Sequence, residues 1–233
     1  MKIGILETGT PPEPLGDTYG DYPAMLRRLL GEDAYAWKTY AVADGAYPER
    51  IDAYDAYLVT GSPAGVYDGD PWIARLMDFL NEAKGKAALV GVCFGHQVMA
   101  EAFGGRVVKS DKGWGVGLHR YDVHTREPWM DDAKTISIPV SHQDQVVELP
   151  PASRVIASSD FAPMAMLAYD DQPAISMQFH PEFEPAYATA LVEKRRGTRL
   201  THEEADRAVE SLRAADDRAR VGAWIRGFLA SGR

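Results

Sequence analysis

Ala87-Ala88-Leu89-Val90-Gly91-Val92-Cys93-Phe94-Gly95-His96-Gln97 is the stretch whose reading decides the fold. Its first half, Ala87 to Val92, is an uncharged apolar run, the pattern of a strand buried on both faces. From Gln97 the composition changes to helix formers, through Val98 to Phe103, and the run ends at Gly104-Gly105. A strand that stops at a cysteine and turns at once into a helix is a nucleophile elbow, with cysteine in place of serine. Gly91 and Gly95 stand two residues to either side of Cys93. A turn this tight brings their backbones together, so a side chain there would clash. The geometry exposes the thiol above the sheet and aims the positive end of a helix at the sulfur, which favours the thiolate. A lone cysteine is ordinarily a small buried hydrophobe. The paired glycines and the strand-to-helix switch outweigh that reading.

Upstream, Lys2 to Leu6 reads as a first strand, and the loop Glu7 to Gly20 is long enough to line a site. Pro23 opens a helix with Met25, Leu26, Leu29 and Leu30 on one face, stopped by Gly31. Ala34 to Val42 and Tyr54 to Thr60 are further strands, the latter ending at Gly61-Ser62-Pro63. Asp70-Pro71 is an N-cap and first-turn pair for a helix burying Trp72, Ile73, Leu76, Met77 and Leu80. Strand alternating with helix predicts an α/β fold, a mostly parallel central sheet with helices on both faces.

Downstream of Gly105 the texture changes. Arg106–Lys109, Gly115–His124, Thr135–Val140, Arg154–Ser158, Met164–Tyr169 and Ala174–Phe179 read as short strands. They form a small antiparallel extension that returns to the main sheet at His180. Glu193 to Arg220 is crowded with charge, and Thr201 and Glu204 make a capping box. The Thr201–Arg218 helix has a thin apolar face of Ala205, Val209 and Leu212. That suits a mobile lid or a docking surface as well as a packed helix. A last helix gathers Val221, Trp224, Ile225, Phe228 and Leu229, to pack on the sheet. The expectation is one domain over 1–233, with 185–233 a C-terminal helical appendage.

Gly91-Val-Cys93-Phe-Gly95-His-Gln97, Phe179-His180-Pro181-Glu182 and Gly61-Ser62-Pro63 together resemble the signature of the class I glutamine amidotransferases. The order Cys, His, Glu is also that family's, and the likeness covers the chain to about Pro185. The resemblance implies a flavodoxin-like fold and a triad of Cys93, His180 and Glu182, for hydrolysis of a carboxamide through a thioester. Pro181 holds His180 extended and fixes the turn to Glu182. One oxyanion donor is the N–H after the nucleophile, that of Phe94. By resemblance the other comes from Gly61-Ser62. Gln97, Gly113, Trp114, Ser141, His142 and Asp144 then line the substrate pocket. His96 departs from the family's commoner apolar residue and reads as a packed helix-start histidine. The Phe-Gly-His-Gln variant looks like stand-alone GMP-synthetase-like members and the gamma-glutamyl peptidases.

The 233 residues carry a net charge of -9 and are 45% hydrophobic, enough for a large core. An acidic surface argues against nucleic acid and anionic membranes. The single cysteine permits no internal disulfide. No apolar run is long enough to span a bilayer and no signal region is visible, so a soluble cytoplasmic protein is expected. His142 and Asp144 with His119 or His124 lack metal-ligand spacing, and the glycines around Trp114 lack a phosphate-loop ending. No metal and no cofactor are expected. The leading reading is glutamine hydrolysis, with ammonia passing to a separate synthetase subunit. The alternatives are a gamma-glutamyl peptidase with the same triad, and a non-catalytic partner subunit.

A glutamine analogue with a diazoketone in place of the carboxamide is expected to alkylate Cys93, the only cysteine, and glutamine to protect it. Intact mass and peptide mapping read the result. A folded protein that resists both this reagent and a simple alkylating agent would overturn the elbow.

Overall fold

The computed structural model describes residues 1–231. In chain order the first elements are β1 (Lys2–Glu7), α1 (Leu15–Tyr19), α2 (Tyr22–Leu30), β2 (Ala36–Ala41), β3 (Ala56–Val59) and α3 (Pro71–Ala83). Then come β4 (Ala88–Val92), α4 (Phe94–Ala102), β5 (Arg106–Lys109), β6 (Gly115–Val123), β7 (Thr135–His142) and β8 (Asp144–Glu148). The chain continues with β9 (Ser153–Ser158), β10 (Met166–Tyr169), β11 (Ala174–Met177), α5 (Pro185–Arg195), α6 (His202–Ser211) and α7 (Arg218–Ser231).

A nine-stranded sheet runs β2-β1-β3-β4-β11-β10-β9-β6-β7. From β2 to β11 the neighbours are parallel, and from β11 to β7 they are antiparallel. The α/β class is as expected, a mixed sheet with helices on both faces. The later strands extend the main sheet itself, because β10 pairs directly with the far edge of β11. The separate small antiparallel sheet is β5 with β8. Sequence reading passed over β8 because its first and last residues, Asp144 and Glu148, are charged. Between β2 and β3 there is no α-helix, only two 3-10 turns, Val42–Asp44 and Ile51–Ala53.

Side chains alternate across the parallel strands, as the two-residue period requires. Ile3, Ile5, Leu58, Val90 and Val92 share one core with Leu26 of α2 and Trp224 and Ile225 of α7. Leu6, Tyr57, Val59 and Leu89 share the other with Ile73 and Leu76 of α3 and Val98 of α4. Asp21 caps α2, accepting from the Ala24 N–H at 2.6 Å. Asp70 stands at the N-cap of α3, yet its side chain accepts no capping bond, and Pro71 alone supports the start.

The C-terminal helices differ most from expectation. α5 begins where the helical appendage is expected to begin, at the Glu184-Pro185 start signal. The capping box at Thr201 and Glu204 is present, but α6 ends at Ser211. It is docked against β6 at Gly117, whose φ is +92° and where a Cβ would lie 2.9 Å from Ala208 Cα. The Leu118 N–H donates to Ser211 Oγ at 2.9 Å. Asp217 then ties the link to α7 onto β7 through two bonds with the Ser137 backbone, at 2.8 and 2.9 Å. The thin face is therefore packed in this structure, its small residues meeting a glycine.

A Cβ on Gly91 would sit 2.5 Å from the Gly95 carbonyl oxygen. Gly91→Ala is therefore expected to destabilise by about 1–3 kcal/mol. Gly16, with nothing within 4 Å, is the control. Gly16→Ala is expected to be neutral or to stabilise by up to about 1 kcal/mol. Urea unfolding midpoints check both.

Candidate active site

Cys93 joins β4 to α4 at φ 53° and ψ -104°, left-handed backbone that a residue with a Cβ seldom adopts. The conformation is over-determined. The Cys93 N–H donates to Met177 of β11 at 2.8 Å, and its carbonyl accepts from the Gln97 N–H at 3.0 Å. The Gly95 N–H donates to the Thr60 carbonyl at 3.1 Å, and a Cβ on Gly95 would strike Val59. So Gly91 is needed for contact with Gly95, whereas Gly95 is needed for contact with the neighbouring strand. Cys93 is 6% exposed, and that exposure opens into a cleft. His96 is fully buried beneath it, hydrogen-bonded through Nδ1 to Ser176 Oγ at 2.8 Å, and burial holds its pKa down at about 3.

His180 lies three residues past β11, its N–H donating to the Pro139 carbonyl of β7 at 2.9 Å. Its Nδ1 donates to Glu182 Oε1 at 2.7 Å, and both side chains are buried. With Nδ1 committed, Nε2 is the nitrogen left to move protons. Phe183 stacks flat on the imidazole, centroids 3.8 Å apart and planes 7° apart, and so fixes the ring's orientation. Burial pushes the imidazolium down. The Glu182 carboxylate and Cys93, which acts as a charge and as a hydrogen-bond partner, outweigh it and raise the pKa from 6.5 to about 10. A Cβ built on Gly61 would lie 3.2 Å from His180 Cε1 and 3.7 Å from Cys93 Cβ, so glycine is what fits between them.

The N–H groups of Gly61, Ser62 and Phe94 donate to no group among the described residues. The first two belong to a turn held from behind by Thr8. Thr8 Oγ1 lies 3.0 Å from both the Thr60 and Gly61 carbonyls, and the Thr8 N–H donates to Thr60 Oγ1 at 3.0 Å. In the sequence Thr8 is simply part of the loop Glu7 to Gly20. Its position directly after β1, the neighbour of β3, was the available signal.

Two adjoining clefts meet at Cys93 and share Ser62, Ser141, Arg195 and Arg199. The first, about 480 Å³, is further lined by Gln97, Lys109, Trp114, His142 and Asp144. The second, about 430 Å³, is lined by Thr10, Glu13, Tyr22, Phe183, Lys194 and Thr198. The residues expected at the substrate, Gly113 apart, thus gather in one chamber, with particular duties. The Gln97 amide donates to the Asp144 carbonyl at 3.0 Å and to Gln178 at 3.1 Å, so it braces the chamber wall. His142 bonds the same carbonyl through Nδ1 at 3.2 Å, and burial holds it neutral with a pKa of about 3. Burial raises the Asp144 carboxyl. Gly113 does not line either cleft; its φ of +77° turns the chain that carries Trp114 in. Arg195 donates to Ser141 Oγ and lies 4.8 Å over the Trp114 ring. The arginines were missed because they sit in a charge-rich run that reads as solvated surface. Among the described residues no group of three or more His, Cys, Asp or Glu could hold a metal ion, and no helix is long and apolar enough to cross a membrane.

A strained cysteine at a strand-to-helix elbow, facing a buried histidine–glutamate pair, defines a cysteine-elbow α/β protein. The chain belongs to the class I glutamine amidotransferase family: the family model described as glutamine amidotransferase class-I matches residues 16–195. It is a glutamine amidotransferase-like hydrolase. A glutamine amidotransferase-like protein of Schizosaccharomyces pombe is 31% identical over 217 residues, 87% of this chain and 87% of that one. Gamma-glutamyl peptidase 3 of Arabidopsis thaliana is 28% identical over 209 residues, 85% of this chain and 84% of that one. The crystal structure of a glutamine amidotransferase of Thermotoga maritima superposes with a TM-score of 0.74 at 18% identity, covering 99% of each chain. That likeness is one of fold.

The raised His180 pKa carries a sign for stability. A histidine whose folded pKa lies above its unfolded value contributes stability that is fully present below about pH 6.5 and lost as pH rises towards 10. Glu182→Gln removes the first of the two groups that raise it, and leaves Cys93. The stability gap between wild type and Glu182→Gln is therefore expected to be wide at pH 6 and to narrow as pH is raised. Denaturant titrations across this range check it; a gap that widens with pH would refute the assignment.

Proposed function

We propose that this protein hydrolyses the amide bond at the γ-carbonyl of a glutamyl compound through a thioester on Cys93. The observation that carries the reading is Cys93, strained and set at the floor of a cleft, beside His180 with its Nδ1 held by Glu182. The thiolate attacks the carbonyl carbon and forms a C–S bond. The oxyanion is received by the free N–H of Phe94 and by the Gly61-Ser62 turn. Collapse breaks the C–N bond, and His180 gives the leaving nitrogen its proton. His180 then takes a proton from water, which attacks the thioester and releases glutamate and the thiol. Glu182 keeps the imidazole in the right tautomer and stabilises its charged form.

The first chamber fits the amino acid end of the substrate. Asp144 is an anion for the ammonium group, and Lys109 a cation for the carboxylate. Glutamine would fill this chamber alone and release ammonia, for which a separate synthetase subunit is the natural acceptor. The second chamber favours a larger leaving group, as in gamma-glutamyl peptides or conjugates; the Arabidopsis relative is named a gamma-glutamyl peptidase. An intact triad disfavours a non-catalytic subunit. The chemistry needs Cys93 as a free thiol, which suits the reducing cytoplasm.

His180→Ala is expected to abolish turnover, whereas Glu182→Gln leaves a measurable remnant, because Glu182 acts only through the imidazole. Losses of several orders of magnitude are expected for Cys93→Ser. Initial rates on glutamine and on a gamma-glutamyl dipeptide, compared for the three variants, decide the matter. Equal, wild-type-like rates in all of them would end the triad assignment.

A further inference from the structure

The second chamber is cationic. Lys194, Arg195 and Arg199 line it, opposed by a single acid, Glu13. The first chamber is mixed, with Asp68 and Asp144 facing Lys109 and the same two arginines. The contrast matters in a chain whose net charge is -9. Arg196, the next residue along, is fully paired with Glu193 and Asp206. Lys194, Arg195 and Arg199 form no ion pair among the described residues. Arg195 is half-buried, held by Ser141 Oγ and the Trp114 face, and the exposed Arg199 lies 5.8 Å from the centroid of the same ring. A partly desolvated guanidinium without a carboxylate is costly to keep. Burial and the neighbouring Arg199 both work against the charge on Arg195. Planar guanidinium groups bind carboxylates through paired hydrogen bonds.

We infer that Arg195, Arg199 and Lys194 form a subsite for a carboxylate carried by the leaving amine, so that the preferred substrate is a gamma-glutamyl amino acid with its carboxylate free. The inference rests on the thioester reading above and goes beyond it by naming the charge of the leaving group. The zwitterionic glutamyl end occupies the mixed chamber and the anionic leaving group the cationic one. The scissile bond then lies between them, over Cys93. The balance of the reaction is unchanged: the C–N bond breaks, the nitrogen takes the His180 proton, and the amino acid departs with its carboxylate.

The test compares kcat/KM for gamma-glutamylglycine and gamma-glutamylglycinamide, which differ only in that carboxylate. Wild type is expected to prefer the acid by about tenfold or more, the size of a charge-assisted hydrogen bond. The preference is expected to shrink as salt is raised. The double variant Lys194→Gln/Arg199→Gln, on exposed positions, is expected to bring the ratio close to one, and Arg199→Lys to keep part of it. A wild-type ratio within twofold of one overturns the subsite, as does a ratio that survives in the double variant. An equal fall for acid and amide, leaving the ratio intact, would assign the arginines to the glutamyl carboxylate and overturn it too. Hydrolysis of neither peptide also overturns it. The diazoketone adduct then separates the two failures, for an adduct at Cys93 leaves the thioester reading standing and its absence removes both.

Discussion

The backbone of Cys93 is held where a cysteine does not rest by preference. A left-handed φ on a residue with a Cβ costs on the order of 1–3 kcal/mol, and it persists only where surroundings leave no alternative. Here two hydrogen bonds supply the constraint from neighbouring strands, Cys93 N–H to Met177 and Gly95 N–H to Thr60. Two glycines remove the atoms that would prevent the approach. Everything proposed for the chemistry follows from that fixed point. The thiol lies at the floor of a cleft, the Phe94 N–H is left without a partner among the described residues, and α4 begins immediately behind.

The same economy places the base. β11 pairs in parallel with β4, so the chain leaving β11 emerges beside the elbow. Pro139 anchors the His180 backbone, Glu182 its Nδ1 and Phe183 its ring face. The histidine and the glutamate are both buried, where an unpaired charge would be prohibitive and a paired one is strong. The antiparallel half of the sheet has a part in this, since β7 supplies both Pro139 and Ser141. What reads as an accessory extension is a wall of the site.

The C-terminal helices are the other wall. α5 carries Phe183's neighbours Tyr187 and Leu191 into a third apolar cluster and ends with Lys194 and Arg195 at the cleft. A helix C-terminus is a favourable place for cations, which helps to hold this cluster without an acidic partner among the described residues. α6 closes on Gly117 through small residues, so that α5 is held from its far side.

Local signals settled a good deal. The His180-Pro181-Glu182 run was legible only through its resemblance to the family's signature. Cys93 between its glycines and the parallel strands were legible because each follows from short-range pattern: apolar runs, glycine spacing and a strand-to-helix switch. The capping box at Thr201 and the packed face of α7 were legible for the same reason. Thr8 and Phe183 were not, because their roles come from groups 52 and three residues away, brought close only by strand order and a turn. The joining of β10 to β11, which makes the antiparallel extension part of the main sheet, depends on pairing between backbones that any sequence can offer. Arg195 and Arg199 look the same as Arg196 in the chain. Only the fold separates them, by giving Arg196 two carboxylates and giving the other two an aromatic ring and an open cleft.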